Sequence, residues 1–282
     1  FSAPCCSQPL LSVAVLLAAR LWAIIDEQKI AYRVLRQGVP YFRGNRRPLA
    51  MRLTMKSRAI FLLLFAIIAV CRTPAAAAQD SAADSFQDWP VVSWTDFSLE
   101  ADRAAWKPVD DGWSYFKAGP RDVLRLDKKE SNYQPKFRSP THIALLENPD
   151  VASFELNVRL RSTEPDYGHR DACLFFGWQS PDRYYYAHLA KAMDDRANQI
   201  FIVNEADRTK ISLTTTQGTP WDDAWHWIRL RRDSETGLIQ VFYDDMTTPV
   251  MTANDKTFPK GKIGVGSFDD RIDVAEVILK AK

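Results

Sequence analysis

Residues 225–245, WHWIRLRRDSETGLIQVFYDD, constrain the fold more than any other part of the chain. His226, Ile228 and Leu230 alternate with Trp227, Arg229 and Arg231, so one face is mostly apolar and the other basic. Residues 233–237 supply a turn, in which Gly237 suits a positive φ. Residues 238–243 return as a second run rich in β-branched and aromatic side chains. The spacing predicts a β-hairpin.

The same pattern recurs from Trp89 onward. Short apolar runs fall at 123–126, 142–146, 154–160, 173–178, 184–189, 199–203, 210–213, 262–268 and 274–279, with Pro, Gly, Asn and Asp clusters between them. Many short strands with regular turns favour an all-β sandwich over βαβ units. No internal repeat is apparent, which argues against a propeller or β-helix. Alternation assigns the faces. Phe154, Leu156, Val158 and Leu160 are expected in the core, with Glu155, Asn157, Arg159 and Arg161 outward. Tyr184, Tyr186 and His188 share one face of their strand, and Tyr185, Ala187 and Leu189 the other.

The first part of the chain reads differently. Met51 opens a segment with basic Arg52, Lys56 and Arg58, an apolar run over 59–70 and small residues at 75–78. These are the parts of a secretory signal peptide, and the run is too short to span a bilayer, which needs roughly 20 residues. The expected organisation is an upstream segment (1–50) outside the mature protein, a signal peptide (51–78) cleaved near Ala78, a flexible lead-in (79–87) and one sandwich domain (88–282). A secreted or periplasmic protein without a transmembrane anchor follows.

This division changes the charge. The chain has 37 Lys and Arg against 35 Asp and Glu, but residues 1–78 hold 11 of the bases and two of the acids, leaving the remainder at −7. A nucleic-acid partner is therefore not expected, because phosphate binding needs a basic surface. Cys5, Cys6 and Cys71 also fall in the first part, so Cys173 stands alone inside an apolar run and reads as a buried, inert thiol.

Trp225, Ile228, Leu230 and Arg232, then Gly237, Ile239, Val241 and Asp244, then GKIGVGSFDD over 261–270, resemble the C-terminal half of a concanavalin A-like lectin/glucanase jelly roll. The resemblance implies a two-sheet antiparallel jelly-roll sandwich directed at carbohydrate, with the ligand on the concave sheet or its rim loops. The strand FELNVRLRS followed by FFGW is similar to bacterial jelly rolls called 3-keto-disaccharide hydrolases. Laminin G-type sandwiches use the same scaffold to bind protein.

On that basis the ligand face is sought where aromatic and polar groups alternate. Sugar rings have apolar C–H faces, covered by aromatic planes, and a rim of hydroxyls, satisfied by amides, guanidinium groups and carboxylates. Tyr184, Tyr186, His188, Arg159, Asn157, Gln199 and Trp221 are the binding candidates. Trp225 and Trp227 share a face and are expected to pack the core or the sheet interface.

A glycosidase needs two carboxylates about 5–5.5 Å apart for retention or about 6.5–9.5 Å for inversion. The E-x-D-x-x-E strand motif of jelly-roll glucanases is missing here, and the nearest substitutes are Glu155, Asp171, Asp194, Asp195 and Glu205, drawn from different segments. A lyase needs a His or Tyr base, for which His188 and Tyr186 are available, with Arg159, Asn157 or Gln199 to neutralise a uronate carboxylate. The acidic mature surface favours a neutral or weakly charged glycan instead. Residues 166–171, DYGHRD, match no zinc spacing and read as a solvated or rim loop. No cofactor is required. Asp269, Asp270 and Asp273 are candidate ligands of a structural Ca²⁺, since hard carboxylate oxygens at a turn suit that ion. Three readings stay open: a glycan-recognising domain with or without hydrolase activity, a protein-binding envelope or adhesion domain, and a polysaccharide lyase. Oligomeric state is not legible.

Overall fold

The run with the clearest alternation, Phe154–Ser162, lies inside the larger of two antiparallel sheets. The computed structural model describes residue 86 and residues 88–282. The upstream segment and signal peptide, and nearly all of the lead-in, lie outside the described residues.

In chain order the elements are β1 (Val91–Thr95), α1 (Glu100–Ala105), β2 (Trp106–Pro108), β3 (Trp113–Ala118), β4 (Arg121–Leu126), β5 (His142–Leu146), β6 (Phe154–Ser162), β7 (Asp171–Ser180) and β8 (Arg183–Ala190). There follow β9 (Gln199–Asn204), β10 (Thr209–Lys210), β11 (Ser212–Thr215), β12 (His226–Arg232), β13 (Leu238–Tyr243), β14 (Met251–Asn254), β15 (Lys262–Ser267) and β16 (Ile272–Ala281). The larger sheet runs β11-β14-β13-β12-β6-β16-β4-β3, with β1 also on β16; the smaller runs β10-β9-β8-β7-β15-β5-β2. Together they form an antiparallel jelly-roll sandwich.

β6 pairs with β12 along one edge and β16 along the other. Its Phe154, Leu156, Val158 and Leu160 are fully buried among Leu174 and Phe176 of β7, Tyr185, Ala187 and Leu189 of β8, and Ile263 and Val265 of β15. Each such side chain contributes roughly 1.5–3 kcal/mol by leaving water. The hairpin predicted at 225–245 is β12–β13. Its turn closes through Gly237 N–H to the Asp233 carbonyl at 2.8 Å, with Gly237 at φ 84° as its position demands.

The outer face of the smaller sheet is not solvated. Phe175, Tyr184, Tyr186 and Phe201 form a second apolar layer there, and Tyr133 and Phe137 pack onto it from residues 127–141, between β4 and β5. That segment is tied down by a buried pair. His142 Nδ1 lies 2.8 Å from Asp110 Oδ1, and its Nε2 lies 3.1 Å from the Lys129 carbonyl. Burial pushes the imidazole down, but its bonds to Asp110 and the Lys129 carbonyl outweigh this and raise it.

Trp225 and Trp227 do not enter the core between the sheets, although Trp225 packs against a small buried cluster of Ala118, Val123 and Ala275. Both are half-buried on the outer face of the larger sheet, with the Arg161 guanidinium 4.8 Å from the Trp225 ring and that of Arg159 5.6 Å from Trp227. His226, Ile228 and Leu230 take the inward positions, so period two leaves the tryptophans outward. Among the described residues no helix is long and apolar enough to cross a membrane.

Leu156→Ala is expected to lower stability by about 2–5 kcal/mol, as for a cavity in a packed core. Leu213→Ala, at a side chain 70% exposed, should change it by less than about 0.5 kcal/mol. Urea midpoints at constant m-value measure both, and equal effects would mean the sandwich core is misplaced.

Candidate functional site

Three of the four histidines place both ring nitrogens within hydrogen-bond reach of oxygen acceptors. His142 secures the covering segment. His226 is held between Asp244 at 2.8 Å and Asp222 at 3.1 Å. His188 sits at the floor of an open cleft, and the fourth, His169, lies exposed on its rim.

The register of β7 on β8 places Cys173 opposite His188. His188 Nδ1 lies 2.9 Å from the Arg196 carbonyl, and its Nε2 lies 2.7 Å from Asp171 Oδ2. A carbonyl only accepts, so Nδ1 donates to it and Nε2 faces the Asp171 carboxyl. Asp171 Oδ1 accepts from Ser267 Oγ at 2.6 Å, and that hydroxyl accepts from Asp270 N–H at 2.9 Å. Asp270 in turn accepts Asp171 N–H at 2.7 Å and the Tyr167 hydroxyl. Burial and the charge of Asp171 push the Asp270 carboxyl up to about 6.

This network has limited chemistry. Ser267 donates to Asp171 and not to His188, so the three do not form a nucleophile–base relay. Cys173 is fully buried, and burial pushes its thiol well above its ordinary value. Atoms of Asp171, Cys173 and His188 lie within 4.8 Å of one another, a spacing open to a metal ion. A protonated thiol and a satisfied His–Asp pair favour the hydrogen-bonded reading of that cluster.

The cleft above has a volume of about 450 Å³. Asp171, His188 and Phe268 lie at its base, and Arg138, Arg196 and Arg208 reach it from three separate segments. Arg208 is fixed in place. Its guanidinium lies 4.7 Å from the Phe201 ring and 4.6 Å from Phe268, and it donates to the Tyr186 hydroxyl at 3.0 Å.

The structure disperses the other candidates. Tyr184 and Tyr186 share the His188 face as expected, but both are fully buried in the layer that residues 127–141 close. Gln199 is buried opposite His188 and donates to the Asp194 carbonyl at 2.9 Å, shaping a turn of the cleft wall. Trp221 is no loop platform: it is buried against His226 and Tyr243, with its indole N–H on the Leu189 carbonyl at 3.3 Å. Glu155, Asn157 and Arg159 lie on the larger sheet, on the face away from the core and so away from the cleft. Glu155 is bound there to Arg231 at 2.8 Å, and the Arg pair holds its carboxyl low against burial.

Asp269, Asp270 and Asp273 do not all converge on one point: the first two line one hollow, and Asp273 lies apart. The chain passes from the smaller sheet to the larger between β15 and β16. Asp269 is therefore left on the cleft rim and Asp270 under the smaller sheet's loops, while Asp273 is buried between Arg125 at 2.6 Å and Arg161 at 2.8 Å. What sequence reasoning missed are Arg138, Arg196, Arg208 and Phe268. No spacing links them; of the rim, the loop at 166–171 and Asp269 stood out.

No protein-family model matches the sequence, and no curated protein matches it. Solved structures do resemble it. A carbohydrate-binding module from Bacillus subtilis shares 15% identity at a TM-score of 0.44, over 63% of this chain and 96% of that one. A galectin-like protein of unknown function from the same organism shares 12% identity at 0.49, over 67% and 95%. A lectin from Griffonia simplicifolia shares 10% at 0.43, over 66% and 96%. At these values the likeness is one of fold alone.

Asp270 generates a pH dependence. Its folded carboxyl, at about 6 against an ordinary 3.8, binds a proton that the unfolded chain has released. Its contribution to stability is thus full below about pH 4 and lost as pH rises through about 6. The melting-temperature difference between wild type and Asp270→Asn should fall from pH 4 to pH 7. A difference independent of pH would show that the carboxyl is not raised.

Proposed function

We propose that this chain is a carbohydrate-recognising β-sandwich that takes its ligand in the cleft over His188, and that it binds rather than cleaves. One observation carries the reading. The cleft is open and polar, while the groups best suited to catalysis are bound up inside the protein. His188 has no free ring nitrogen, Asp171 accepts on both oxygens, and Glu155 lies on the other sheet. A general base must reach its proton with an unoccupied acceptor. The lyase reading loses its bases on the same ground, because Tyr186 is fully buried.

What remains at the surface suits recognition. Phe268 is half-buried in the cleft, its ring centroid 5.1 Å from that of His188, and offers an apolar plane to a sugar C–H face. His169, Asp194, Arg196 and Asp269 supply donors and acceptors for hydroxyl groups. Few convergent polar groups around an apolar plane are what a small-molecule site needs. This lining favours a sugar over a protein surface, which would be met by a wider apolar patch.

The test is a glycan-array screen of the full chain, in Ca²⁺ and in chelator, with each hit then incubated and its products separated. Intact hits are expected. Phe268→Ala should weaken them by about tenfold, the scale of one lost stacking contact, with the circular dichroism spectrum unchanged. A blank array would sink the reading, and a cleaved hit would replace binding with turnover.

A further inference from the structure

We infer that the saccharide bound in this cleft carries an anionic group, a carboxylate or a sulfate, held by Arg138, Arg196 and Arg208. The inference rests on the reading of the cleft as a saccharide site and names the class of sugar. It runs against the average charge of residues 79–282, which is −7 and would repel such a ligand.

The pairing of the groups at the cleft, more than their number, departs from that average. Among the described residues, no carboxylate lies within ion-pair distance of these three guanidinium groups. Elsewhere arginines at the sheet surface find partners: Arg125 and Arg161 share Asp273, Arg231 holds Glu155, and Arg271 holds Glu164. Asp269 stays on the rim of the same cleft, and the other exposed acids beside the arginines are engaged by other groups. Asp207 accepts the Arg138 backbone N–H at 2.9 Å, Asp194 accepts that of Arg196 at 2.6 Å, and Asp195 pairs with Lys210 at 2.6 Å. The first two of these bonds fix an arginine's backbone and leave its guanidinium without a carboxylate partner.

Geometry adds two further points. Arg208 is held between two aromatic rings and a tyrosine hydroxyl, so little of its freedom would be lost on binding. A second hollow of about 280 Å³ is lined by the same three arginines and continues to Lys210. The cations therefore lie where two hollows meet, with room for more than one sugar ring. The guanidinium fork matches the paired oxygens of a carboxylate or sulfate.

Isothermal titration of the full chain with oligogalacturonate, with its methyl ester, and with sulfated and unsulfated dextran oligosaccharides tests this. The expected result is binding to an acidic probe at least about tenfold tighter than to its neutral counterpart, weakened by added salt. Whichever acidic probe binds identifies the source of the charge. Arg138→Gln, at an exposed position, should lower that affinity by about tenfold and leave neutral-sugar binding unchanged, while Arg196→Gln should weaken the acidic probe more than its neutral counterpart. Equal affinity for charged and neutral probes, or arginine variants that bind the acid as well as wild type, would overturn the inference while leaving the saccharide reading in place. Binding to none of these probes, together with a blank array, would remove both.

Discussion

The period-two alternation of β6 and its neighbours is the constraint on which the rest of the structure depends. Burying Phe154, Leu156, Val158 and Leu160 against the smaller sheet fixes which side chains point away from the core on both sheets. On the smaller sheet those outward side chains are Phe175, Tyr184 and Tyr186, too apolar to face water. Residues 127–141 meet that demand by folding over them. The cleft begins where this cover stops, at His188, Asp171 and Phe268.

Buried histidine–carboxylate pairs hold this arrangement. Asp110 with His142, and Asp171 with His188, are shielded from solvent and supplied with further donors. A lone charge at either place would carry a heavy desolvation penalty, and removing one partner is correspondingly disruptive. The pairs join parts of the chain distant in sequence. Asp110 links the start of the domain to β5, and Asp171 links β7 to β8 and to the end of β15. A titratable cluster beside a cleft invites a catalytic reading, but here the hydrogen bonds point inward.

Charge shows how an average misleads about a site. The acidic balance of residues 79–282 argues for a neutral ligand, yet Asp194, Asp195 and Asp207 bind backbone N–H groups and Lys210, leaving three guanidinium groups at the cleft without a carboxylate partner. Recognition follows the local field inside a concave surface, where low-dielectric walls focus it, more than the net charge of the molecule.

The sequence by itself determined the all-β class and most of the strands, though not β1, β2, β3 or β14, the β12–β13 hairpin with Gly237 in its turn, and the faces of β6 and β8. These follow from local rules, side-chain period and turn geometry, that act within a few residues. It also marked His188 and Asp171 as unusual, without their relation to each other. The tertiary structure alone decided which outward face is covered and where the cleft opens. Residues 127–141 read as a polar loop because only Tyr133 and Phe137 in it are large and apolar, and their role exists only once the smaller sheet offers them a surface. Asn157 and Arg159 were grouped with Tyr184 and Tyr186 because both strands alternate. Alternation cannot say which sheet a strand joins, and these two strands joined different ones. Arg138, Arg196 and Arg208 meet at one site for the same reason, since long-range pairing sets their proximity and no periodicity within the chain encodes it.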